Sequence, residues 1–190
     1  MNSTRVIIVT DDVNYKIHLK RLFMNSGHSV IGEADHQSAA LRLVKSRLPD
    51  LIIVDGDCMN VNITNLIEII EQDPCSALIV LTQQLQKQLV EKAKELWFYF
   101  YMLKQLPDTM LVSNVEVAHA MFKRTKKMEQ EIDKLKKTLE TRKVVEKAKG
   151  LLMKELDMTE DEAFRHVQKI SMDKCLPMKE VANAIIITYS

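Results

Sequence analysis

Five side chains of chemically useful type stand where apolar runs end. Asp11 and Asp12 follow the run Arg5–Thr10, and Asp55 ends the run LIIV at 51–54. Thr82 ends ALIVL at 77–81, and Lys104 follows Phe98–Leu103. Clustered carboxylates form a hard oxygen site suited to Mg²⁺. An ammonium and a hydroxyl beside them are the groups that hold phosphoryl oxygens as charge develops. The chemistry on offer is therefore metal-assisted handling of a phosphoryl group. A strand-end carboxylate satisfied by neighbouring amides is the plain alternative for Asp55 taken alone.

These five share a site only if the runs are strands of one sheet. Between them lie segments with helical spacing: Val13–Asn25, Gln37–Arg47, Ile63–Ile70 and Gln84–Leu96. Strands alternating with helices predict a parallel sheet covered on both faces. The strands are continuously apolar rather than alternating, as such a sheet requires. The carboxyl ends of parallel strands lie along one edge, where open α/β folds bind ligands.

The order Asp11–Asp12, Asp55, Thr82, Lys104 resembles the receiver domain of two-component response regulators over about residues 4–122. The resemblance implies a flavodoxin-like, doubly wound five-stranded sheet. It makes Asp55 the phosphoacceptor, with Mg²⁺ held by Asp11, Asp12 and Asp55. Thr82 becomes the switch hydroxyl, Lys104 the phosphoryl contact and Tyr101 the rotating aromatic. The surroundings depart from the family. Cys58–Met59 and Asn62–Ile63 replace the usual Met-Pro and Asp-Gly, Gln83 is bulky where a small residue is usual, and Gln105 replaces a proline. Leu96, Trp97 and Phe98 replace a stretch of small residues. Two readings stay open: a receiver phosphorylated by a sensor histidine kinase, and a pseudo-receiver controlled by a protein partner.

Beyond Pro107 the pattern changes. From Leu111 to Leu156 there is no proline and one glycine, Gly150, which predicts one long helix. Met121, Thr125, Met128, Ile132, Leu135 and Leu139 recur at spacings of four and three, a heptad seam for a parallel two-stranded coiled coil. Arg124 and Glu131 fall at g, Glu129 and Lys136 at e, so Arg124 meets Glu129 and Glu131 meets Lys136 across a homodimer. The alternative is an amphipathic helix packed on its own domain. After it, Thr159–Glu162 reads as a capping box and Pro177 suits the first turn of a last helix. With the end of the long helix this gives a three-helix bundle, whose methionines and Phe164 are expected in the core and His166 at its boundary.

Three stretches, Arg142–Met153, Met158–Phe164 and Lys179–Ile186, together resemble the ANTAR domain over about Leu135–Thr188. Val167–Gln168–Lys169 departs from the family, which often has a Leu-Arg-Arg type run there. ANTAR domains are RNA-binding output modules of bacterial antitermination regulators, and they bind paired hairpins in a nascent leader transcript. The resemblance assigns RNA contact to Lys147, Ala148, Lys149 and Gly150, with Arg142 and Arg165 as flanking cations. Close helix packing is the competing role for Gly150. A DNA-binding response regulator, with the last two helices as helix-turn-helix, is the alternative output.

Composition narrows the setting. Residues 1–119 hold 11 Lys/Arg against 14 Asp/Glu, and residues 120–190 hold 16 against 12, so a polyanion is expected at the rear. Cys58, Cys75 and Cys175 show no CxxC spacing, which fits a reducing compartment. The absence of a signal-peptide pattern and of a bilayer-length apolar run points to a cytoplasmic protein without membrane contact. The last third holds no nucleophile–base pair, so neither enzymatic turnover nor a small-molecule substrate is expected. The expected division is a receiver-like domain at 1–122, a coiled-coil dimerisation helix at 123–141 and an ANTAR domain at 135–190.

Overall fold

The structure, a computed structural model, describes residues 3–84 and 86–189. Leu85, in the expected fourth helix, lies outside the described residues, as do Met1, Asn2 and Ser190. The chain forms two compact units, Met1–Lys126 and Lys127–Ser190.

The first unit alternates β1 (Arg5–Val9), α1 (Val13–Asn25), β2 (Ser29–Ala34), α2 (Gln37–Arg47), β3 (Leu51–Asp55), α3 (Ile63–Glu71), β4 (Ala77–Thr82), α4 (Lys87–Glu95) and β5 (Tyr99–Leu103). All neighbouring strands pair in parallel, in the order β2-β1-β3-β4-β5. Every residue of β3 and β4 is buried, because helices cover both faces of the central strands. The order reverses direction beside β1, which puts a crevice above the ends of β1 and β3.

The turns above this edge have identifiable causes. Asp12 caps α1, accepting from the Tyr15 amide at 3.0 Å, and Asn62 caps α3 in the same way. After β3 the chain passes within contact of β4: a Cβ on Gly56 would lie 2.2 Å from Thr82 Cγ2 and 2.8 Å from Val80 Cγ1. Only glycine fits between Asp55 and Asp57 without moving β4.

The helix α5 (Asp108–Leu156) contributes to both units. Leu111, Val115, Ala118 and Phe122 are buried in the core of the first unit, where Phe122 stacks on Trp97 at 5.2 Å. In the second unit Val145, Ala148 and Leu152 of α5 pack with Ala163 and Val167 of α6 (Glu160–Lys174) and Val181, Ala182 and Ile185 of α7 (Met178–Tyr189). The Thr159–Glu162 capping box is present in both directions. Cys175, at φ 52°, takes the left-handed position that ends α6 and turns the chain without a glycine.

Candidate functional site

The edge above β3 and β5 brings Asp55 and Lys104 together. Asp55 is 3 % exposed. Its Oδ2 accepts from the Thr10 hydroxyl at 2.8 Å, and its Oδ1 accepts from the Asp57 amide at 2.9 Å. Lys104 Nζ lies 2.5 Å from Asp55 Oδ1 and 2.8 Å from Asp57 Oδ2. Burial alone would lower the Lys104 pKa; hydrogen bonds and charge from Asp55 and Asp57 outweigh it and hold the ammonium above its usual range. The ammonium also sits 4.8 Å from the centre of the Tyr15 ring. Burial first, then the charges of Asp55 and Asp57, raises the Tyr15 phenol pKa, so the ring stays neutral.

Thr82 and Tyr101 form a second cluster at the ends of β4 and β5. Their hydroxyls lie 2.7 Å apart, and Tyr101 donates to the Gln84 carbonyl at 2.7 Å while accepting from the Gln86 amide at 2.9 Å. The phenol is thus tied to Thr82 and to the chain beyond β4. The Gln83 side chain is exposed, while the Gln83 backbone N–H donates to Asp57 Oδ2 at 2.9 Å and the backbone carbonyl accepts from Gln105 Nε2 at 2.8 Å.

Asp11 and Asp12 are exposed, Asp11 accepting from Asn60 Nδ2 at 3.4 Å and Asp12 spending one oxygen on the α1 cap. The donors at this edge are oxygens only, which fits Mg²⁺ in type. Among the described residues no three His, Cys, Asp or Glu side chains close into a metal-holding group. The positive charge between the carboxylates here is that of Lys104. Sequence reading missed four neighbours: Thr10, Tyr15, Gly56 and Asp57. The Asp-Gly-Asp run at 55–57 was the available signal for two of them.

In the second unit the residues assigned to RNA separate into two sets. Arg142, Lys147, Gly150 and Arg165 are exposed. Ala148 is fully buried, and the Lys149 side chain is 8 % exposed, with Nζ 2.7 Å from Glu160 and 2.9 Å from Glu146. The hydrogen bonds to Glu160, then Glu146, raise the Lys149 pKa. Lys149 joins α5 to α6, so neither it nor Ala148 offers a free side chain in this structure. Phe164, expected in the core, is 42 % exposed, beside Arg142 and Met178 in a shallow groove. Gly150 has open space where a Cβ would stand, so helix packing places no demand on it.

The expected dimer seam faces outward. Met121, Met128, Ile132, Leu135 and Leu139 are 42 to 68 % exposed, and Thr125 is half-buried. No described helix is long and apolar enough to cross a membrane.

Comparison with known proteins finds two family matches along the chain. Residues 6–116 match the response regulator receiver domain and residues 133–186 the ANTAR domain. The chain is 32 % identical over 184 residues to the transcriptional regulatory protein PdtaR of Mycobacterium tuberculosis, covering 97 % of this chain and 90 % of that one. It is 44 % identical over 52 residues to the nitrate regulatory protein of Klebsiella oxytoca, which spans 27 % of this chain and 13 % of that protein. The receiver domain of a response regulator from Mycobacterium tuberculosis superposes with a TM-score of 0.56 at 21 % identity, over 63 % of this chain and 98 % of that one. At that identity the likeness speaks for the fold. The family matches and the near full-length relative go further: the chain belongs to the response regulators that join a receiver domain to an ANTAR domain.

Proposed function

We propose that this chain is a cytoplasmic, homodimeric transcription antiterminator that holds paired hairpins of a leader RNA and is controlled through Asp55. Transfer to Asp55 from a histidine kinase would form a bond from the carboxylate oxygen to phosphorus and break the phosphorus–nitrogen bond, the imidazole nitrogen keeping the electron pair and taking a proton from water to leave a neutral histidine. Lys104, already beside Asp55, would hold the phosphoryl oxygens, and Thr82 would switch its hydroxyl towards them. Asp11, Asp12 and Asp55 would hold Mg²⁺, which supplies charge neutralisation for the incoming phosphoryl group.

The observation that carries the output is the outward set of cations within the ANTAR match: Arg142 and Lys147 on α5 and Arg165 on α6. Exposed cations in a compact bundle suit phosphate contact, and the exposed Gly150 leaves room for close backbone approach. Dimerisation has its own support. Every residue from Lys127 to Glu140 is exposed, and an isolated helix of that length is marginal in water. A partner helix on the heptad seam would bury Met128, Ile132, Leu135 and Leu139. Two linked bundles would then meet two linked hairpins, gaining through effective concentration.

The test is a binding titration of the full chain with a two-hairpin leader RNA, a single hairpin and duplex DNA, over a salt series. Preference for the paired hairpins, lost in Leu135→Lys together with the dimer, is expected. Equal binding to duplex DNA, or no binding to any of the three, would contradict the reading.

A further inference from the structure

Asp57 has no role in the chemistry above, yet its carboxylate stands at the centre of the site. Oδ2 accepts from Lys104 Nζ at 2.8 Å and from the Gln83 amide at 2.9 Å, while the Asp57 amide donates to Asp55 Oδ1 at 2.9 Å. The surrounding turn is braced on both sides. Gly56 N–H donates to the Leu81 carbonyl at 2.8 Å, and Gln105 holds the Gln83 carbonyl. An anion attached to Asp55 Oδ1 would need the Lys104 ammonium, 2.5 Å from that oxygen, and the same Asp57 Oδ2 that holds this ammonium also holds the Gln83 backbone amide. The Gln83 amide has one hydrogen and already gives it to Asp57. The Thr82 hydroxyl is also engaged, by Tyr101 and the Gln84 carbonyl.

We propose that the Asp57 carboxylate is a built-in occupant of the phosphoryl seat, competing for Lys104 and the Gln83 amide until it swings out. Its side chain is 31 % exposed, so solvent lies on one side of it and the way out is open. The departure of a charged group from two donors sets a barrier that an open receiver lacks. The obstruction comes from the residue two places after the phosphoacceptor, not from bulky Gln83. The proposal rests on the receiver reading given under Proposed function and adds the regulation of that site.

The experiment treats the full chain with acetyl phosphate and Mg²⁺ and follows the mass gain of one phosphoryl group. The Asp55 oxygen bonds to phosphorus, the bond to the acetyl oxygen breaks, and acetate leaves with the electron pair. Asp57→Ala is expected to raise the initial rate about tenfold or more, the worth of one charge-assisted hydrogen bond. Asp57→Asn keeps an acceptor for the Gln83 amide but no charge against Lys104, and gives a smaller gain. It also carries the comparison if Asp57→Ala does not fold. Asp55→Asn is the blank. In metal-free protein, hydrogen exchange at the Gln83 amide is expected to quicken in Asp57→Ala.

Equal or slower phosphorylation in both variants overturns the proposal, and so does no phosphorylation in any of them, since clearing the seat then opens nothing. Unchanged exchange at Gln83 overturns it as well. RNA titration on the same samples separates the two levels. Equal phosphorylation rates with intact hairpin preference remove only the proposal. Faster phosphorylation with no RNA binding removes only the output reading.

Discussion

Two lysines, one in each unit, are each held by two carboxylates, and they do different work. The Lys104 side chain is 14 % exposed and lies between the side chains of Asp55, 4 % exposed, and Asp57, 31 % exposed. Lys149 is 8 % exposed, but its partners Glu146 and Glu160 are 65 and 68 % exposed. In the Lys104–Asp55 pair both partners have left water, so the charges depend on one another. In the bundle only the cation has left water, and its partners would be hydrated without it. The first arrangement suits a site whose charge balance is to be changed by a phosphoryl group. The second suits a joint between helices, with Arg142, Lys147 and Arg165 left at the surface.

The same substitution at both lysines puts this comparison to the test. Lys104→Met leaves a buried carboxylate without its partner and is expected to cost the first unit about 3 kcal/mol, measured by chemical denaturation. Lys149→Met leaves two solvated glutamates and is expected to cost the second unit clearly less. Equal losses would break the contrast. Gly56→Ala comes next. Its Cβ would press on Thr82 and Val80, and overpacking of this kind costs about 2 kcal/mol. Phosphorylation of Asp55 should slow with it, because β4 carries Thr82. Unchanged stability would mean that the turn after β3 yields more easily than its contacts suggest.

In the bundle the contrast sharpens as a salt slope. Lys147→Ala, at an exposed cation, should reduce the dependence of RNA affinity on salt by about one ion. Lys149→Met should leave that slope unchanged. A smaller slope in Lys149→Met would return that lysine to the RNA face.

The smallest effect concerns His119, buried on α5 in the first unit. Burial, then Lys123, holds its pKa below the usual histidine range, with His28 pushing the same way and Asp50 opposing. The native chain keeps it neutral at a pH where the unfolded chain begins to bind a proton. Stability is therefore full above about pH 6.5 and declines below it, by at most about 1.4 kcal/mol per pH unit. His119→Gln should flatten that decline in thermal melts of the first unit between pH 7.5 and 5.5.

The fold was legible because its signals are local and repeated. LIIV and ALIVL need no context to be read as strands buried on both faces, and Thr159–Glu162 writes its cap in four residues. The Asp55–Lys104 pair was legible because each stands at the end of such a run. Asp57 was not, because its place depends on a turn that Gly56 permits, and nothing in its spacing shows that it folds back onto Lys104. The burial of Lys149 had a signal that was present. This residue follows Val145 by four and precedes Leu152 by three, so it lies on the edge of the buried stripe, whereas Lys147 does not. Phe164 erred in the opposite direction: aromatic type suggested the core, but its neighbour Ala163 and the later Val167 take the inward face.

The central claim is that the sheet edge governs the cationic face. Its most direct test is the affinity of the full chain for two-hairpin leader RNA, measured before and after phosphorylation by acetyl phosphate, with Asp55→Asn treated alongside. The account predicts tighter binding to the paired hairpins on phosphorylation and no change in Asp55→Asn. The same affinity with and without the phosphoryl group on Asp55 would contradict it.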